Sequence, residues 1–84
     1  MSPGTLLRLE ASWSTRLAIN QPPQRIRLQG RHVLVPGPAP MLVIARQVDP
    51  SAPEWDDVLV IGPKGVVGWT YMDPGHPERL EHVS

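Results

Sequence analysis

Proline has no backbone N–H and a fixed φ, so it is driven out of helix interiors and central sheet ladders. Eleven prolines run from Pro3 to Pro77 in this 84-residue chain. They leave one window, Thr5 to Gln21, that would hold a helix of about ten residues. Even there the pattern is divided. Leu6, Leu7, Leu9, Trp13, Leu17 and Ala18 follow a helical stripe only in part. Thr5 to Glu10 and Thr15 to Ile19 instead alternate apolar with polar residues, as strands do. Ser12, Ser14 and Thr15 also disfavour a helix. The window therefore reads as an N-terminal arm or a pair of edge strands, ended by Pro22-Pro23.

Beyond the prolines the signals are all β. Arg25-Ile26-Arg27-Leu28 alternates strictly, with arginines on one face. Gln29-Gly30-Arg31 reads as a turn and His32-Val33-Leu34-Val35 as a short strand. Pro36-Gly37-Pro38-Ala39-Pro40 reads as a surface loop or polyproline stretch. Met41-Leu42-Val43-Ile44-Ala45 is apolar throughout, which predicts a central strand covered on both faces. The clearest signal is Val58-Leu59-Val60-Ile61, then Gly62-Pro63-Lys64, then Gly65-Val66-Val67-Gly68-Trp69-Thr70-Tyr71. Two β-rich runs around a short glycine-bearing break make a β-hairpin. Asp73-Pro74-Gly75 marks a turn, and Pro77 suits the first position of a helical or 3₁₀ turn.

The count is five or six short antiparallel strands. A chain this small protects its sheet edges best by closing the strands into a barrel. A single all-β domain is expected, with residues 1–24 as the arm and 25–84 as the barrel. Its core must be aliphatic, because the aromatics are three Trp, one Tyr and no Phe. The five-residue apolar run Met41 to Ala45 is far short of the ~20 residues a membrane-spanning helix needs. Met1 to Arg8 lacks a signal-peptide pattern. A soluble, cytoplasmic protein is the expectation.

Net charge is zero, yet the charges are segregated. Through Arg46 there are six arginines against Glu10; from Gln47 there are two basic residues against seven acidic ones. Either the surface is dipolar, or the halves interleave and pair their charges across strands.

Trp55-Asp56-Asp57-Val58 and Gly65-Val66-Val67-Gly68-Trp69-Thr70 carry a family resemblance. A tryptophan that opens a strand, a hairpin with glycine in its loop and a Gly-aromatic pair, followed by room for a 3₁₀ turn and a last strand, resemble the SH3-like barrels, nearest to the bacterial type. The resemblance spans Gly30 to Val83. It implies a small barrel that binds other proteins. The tyrosine-rich first strand of peptide-binding SH3 domains and their proline-tyrosine motif are missing here. Acidic residues at Asp49, Glu54, Asp56 and Asp57 stand where such domains carry acids that meet a ligand's basic residue.

Chemistry narrows the choice further. With no cysteine, three histidines and no nucleophile elbow, no catalytic motif stands out, and a non-enzyme is the expectation. Asp56 and Asp57 are adjacent and would point to opposite faces of a strand. Asp73, His76, Glu78 and His82 match no compact zinc spacing. No cofactor motif is present. The expected function is a non-catalytic protein-interaction or assembly module. Its candidate partner-binding residues are Trp13, Trp55, Trp69, Tyr71, Asp56 and Asp57, and self-association is compatible with it. A second reading is a nucleic-acid-binding barrel that uses Arg25, Arg27, Arg31 and Arg46. A third is a small accessory subunit of a larger enzyme.

Overall fold

The computed structural model describes residues 3–19, 31–48, 56–72 and 75–83. Seven strands form one antiparallel sheet: β1 (Leu6–Leu9), β2 (Ser14–Ala18), β3 (His32–Pro36), β4 (Ala39–Val48), β5 (Asp56–Ile61), β6 (Val67–Met72) and β7 (Leu80–His82). Short 3₁₀ turns occupy Pro63–Gly65 and Pro77–Arg79. The strand order is β3-β2-β6-β5-β4-β1-β7. The expected barrel is therefore not closed, since β3 and β7 are left as the two edges among the described residues. The sheet is curled nonetheless. A flat sheet layer is about 10 Å thick, whereas the shortest extent of this molecule is 23 Å. Its concave face encloses Leu7, Leu9, Leu17, Val35, Ala39, Met41, Val43, Val58, Val60 and Leu80 in one aliphatic core.

The hairpin read from Val58 to Tyr71 is present as β5 and β6, in register from Asp56↔Met72 to Ile61↔Val67. Its loop runs from Gly62 to Val66 and includes Lys64 at φ 61°. The segment read as an arm or edge strands is built into the sheet. β1 lies between β4 and β7, and β2 between β3 and β6. The alternation seen in the sequence is real, but it serves interior strands. β2 crosses so closely onto β6 that a Cβ at Gly68 would stand 2.7 Å from Cβ of Leu17.

Two other expectations are corrected. Only Gly37 and Pro38 of the proline-rich stretch form a bend, joined by a cis peptide bond; Pro36 ends β3 and Ala39-Pro40 begins β4. Pro40 is tolerated there because of the ladder's alternation. The Val43 N–H donates to Thr5 O at 2.9 Å, so odd-numbered residues of β4 bond towards β1 and Pro40 faces the other way. On that side β5 pairing begins only at Leu42. Nor is Met41 to Ala45 covered on both faces. Met41 and Val43 are fully buried, whereas Leu42 and Ile44 are each 38% exposed. Leu6, Leu42, Ile61 and Val67 line up across four strands on the outer face.

The segregated charges meet across the sheet. Arg46 bonds Asp56 at 2.9 Å, and Arg8 bonds Glu81 at 2.5 Å. Each pair joins the basic part of the chain to the acidic part.

Candidate interaction site

Trp13 is the aromatic on which a site can be built. The turn after β1 places it: the Trp13 N–H donates to Glu10 O at 3.0 Å, and Trp13 O accepts from the Gly37 N–H at 2.7 Å. No larger residue fits the bend, since a Cβ at Gly37 would lie 1.9 Å from Glu10 O. The indole packs against the core on one side and meets the His76 ring on another, with centroids 5.2 Å apart and planes at 54°. His76 leads into the turn Pro77–Arg79, so the first and last parts of the chain converge here. Between them lies a groove of about 390 Å³ lined by Glu10, Ser12, Trp13, Pro77 and Glu81.

Arg8 organises the rim. Its guanidinium donates to Glu81 at 2.5 Å and reaches Glu10 at 3.5 Å. The hydrogen bond to Glu81, then the charges of Glu81 and Glu10, hold the Arg8 proton more tightly than in a free arginine. The groove thus offers an indole and a proline ring as an apolar floor, with a hydroxyl and carboxylates at its margin. Such a surface suits an extended peptide segment with one apolar and one basic side chain.

Beneath the groove lies a buried polar cluster that the sequence did not reveal. Arg79 is 5% exposed. Its Nη1 donates to Thr15 Oγ1 at 3.1 Å, and its Nη2 donates to the Tyr71 carbonyl oxygen. Its guanidinium carbon sits 4.7 Å from the Tyr71 ring centroid. The Thr15 and Thr70 hydroxyls share a bond of 2.9 Å. The Glu10 N–H donates to Arg79 O at 3.1 Å. One residue near the C-terminus thereby ties the turn before β7 to β2, to β6 and to the end of β1, across the gap that the open ladder leaves.

The residues singled out from the sequence do not gather in one place. Trp69 is half-buried on the outer face of β6, opposite Leu59 and Ala18. Tyr71 is half-buried beside Arg79. Asp57 is 4% exposed. Asp56 is bound to Arg46. Trp55, Asp49, Glu54, Arg25, Arg27 and Asp73 lie outside the described residues. Arg31 precedes β3 and Arg46 lies in β4, four ladders away in the sheet order. No group of three or more His, Asp or Glu side chains that could hold a metal occurs among the described residues. No described helix is long and apolar enough to cross a membrane.

No protein-family model, curated protein or solved structure matches the chain.

Proposed function

We propose that this protein is a non-catalytic protein-interaction module with an SH3-like fold, and that it takes an extended segment of a partner protein into the Trp13 groove. The observation that carries the reading is the groove itself: an indole held between core and solvent beside Pro77, under a carboxylate-bearing rim. The SH3-like reading draws support from the order of pieces. A glycine-looped hairpin is followed by a 3₁₀ turn, and a short last strand returns beside the first. The non-catalytic reading rests on the chain's chemistry, with neither a thiol nor a nucleophile motif. A cytoplasmic setting is part of the same proposal.

The nucleic-acid reading draws less support. Arg46 is engaged by Asp56, and Arg31 lies far from it in the sheet order. An NMR titration separates the two. Labelled protein is titrated with a panel of extended peptides that pair a basic residue with an apolar one, and separately with a mixed oligonucleotide at about 50 mM salt. The proposal expects peptide-induced shifts centred on Ser12, Trp13 and Glu81, and a loss of affinity of about tenfold or more in Trp13→Ala, as for an aromatic anchor. Salt-sensitive binding of the oligonucleotide with no peptide response would overturn it.

A further inference from the structure

Among the described residues β3 is an edge strand, with one hydrogen-bonding side that meets no other strand. The Ile19 N–H donates to Arg31 O at 3.0 Å, and the Gly37 N–H donates to Trp13 O at 2.7 Å. With the register Ser14↔Pro36 to Ala18↔His32, these bonds fix the odd-numbered residues as those that bond to β2. The N–H and C=O groups of His32 and Leu34 therefore point away from β2. No other strand lies beside them among the described residues. Edges of this kind are normally blunted by charge, bulges or early proline. This one carries Val33 at 36% and Leu34 at 61% exposure, and only Pro36 ends it.

We propose that β3 pairs antiparallel with β3 of a second copy of this chain, about a two-fold axis at Val33. The register is self-complementary. His32 falls opposite Leu34 of the second copy, and Leu34 opposite its His32, so every outward N–H and C=O of these residues finds a partner. An axis at Leu34 instead sets His32 against a proline and leaves the His32 carbonyl without a donor. At the proposed axis Val33 meets its own copy in a non-hydrogen-bonded pair, where side chains approach closest. That contact lies on the core side of the sheet, next to Leu17, the residue paired with Val33. On the other side Leu34 covers His32 of the second copy. The Arg31 side chains end at opposite ends of the ladder. A foreign strand could use the same backbone groups, but the two-fold fit of an apolar edge to itself favours a second copy. The edge is five residues long, about 17 Å at the rise of a strand. It buries far less than the ~1,600 Å² of a standard stable interface, so the dimer is weak and forms only at high concentration.

Sedimentation equilibrium from about 10 µM to about 1 mM, a range that brackets weak association, tests this together with amide exchange of the full chain. The result expected is a monomer–dimer equilibrium in which the His32 and Leu34 amides gain protection as concentration rises. Leu34→Lys should weaken it about tenfold or more by placing charge on the edge, with the far-ultraviolet spectrum and melting curve retained. Leu34→Pro, which removes only the outward donor, should act in the same way. A monomer across the whole range would overturn the proposal. So would a dimer that both substitutions leave intact, or protection of these amides by an added foreign peptide alone.

Discussion

Arg79 reads in the sequence as one more charge in a short turn after Pro77, yet its guanidinium is the buried tie between distant parts of the sheet. Nothing local signals this, because its partners Thr15 and Tyr71 are brought to it only by the curl of the sheet. Arg79→Met should destabilise the protein by about 1–3 kcal/mol, since it leaves the Tyr71 carbonyl and the Thr15 hydroxyl short of a donor. Arg79→Lys should not restore the loss, because an ammonium cannot span both acceptors as the planar fork does. Urea unfolding of both variants checks this. Gly68 makes a second residue-level prediction. Gly68→Ala forces a methyl against Leu17 Cβ at 2.7 Å and Ala18 O at 3.1 Å. It should cost about 1–3 kcal/mol, as overpacking does. Gly68 was legible as part of a Gly-aromatic hairpin strand. Its close contact with β2 was not, because the crossing partner lies some fifty positions earlier in the chain. Asp57 shows a related limit: alternation places it on the same face of β5 as Leu59 and the exposed Ile61, yet it is buried, so strand periodicity alone does not reveal its burial.

Strands were legible where residues close in sequence pair with each other. The hairpin of β5 and β6 needs only its own turn, so apolar runs and a glycine sufficed to read it. The sequence did not reveal which ladders β1 and β2 join, because alternation is the same for edge and interior strands. β4 shows the limit of hydrophobic run length as a guide. Five apolar residues in succession suggested cover on both faces, but the outer side faces solvent and shares a row with Leu6, Ile61 and Val67. Adjacent substitutions separate the two readings. Met41→Ala should cost about 2–5 kcal/mol as a fully buried truncation. Leu42→Ala should cost about 1 kcal/mol, in proportion to its partial burial. Equal losses in thermal unfolding would restore two-sided burial.

At the level of the whole molecule, basic and acidic parts of the chain interleave. Arg46–Asp56 and Arg8–Glu81 each link the two. Their side chains are well exposed, apart from Asp56 at 21%. Each such pair contributes little: Asp56→Asn should change stability by about 0.2–1 kcal/mol, and less at high salt. The tight hold on the Arg8 proton raises its pKa. Its contribution is thus complete at neutral pH and is lost only in strong alkali, so stability should not vary with pH near neutrality on its account. The pairing of the two charge groups was one of two readings open in the sequence, and the antiparallel order of strands selects it. The Trp13 groove belongs to this scale too. It exists because β1, the bend at Gly37 and the turn before β7 converge, so no single stretch of sequence announces it.

The central claim is that the N-terminal segment is woven into the sheet and carries Trp13 to the turn at Pro77. Nuclear Overhauser contacts in the labelled protein test it most directly. The account predicts contacts between the Trp13 indole and the His76 ring, whose centroids are 5.2 Å apart, together with close Hα–Hα contact across the pair Arg8↔Pro40. Indole contacts confined to residues near Trp13 in the chain, with none from Arg8 to Pro40, would contradict it.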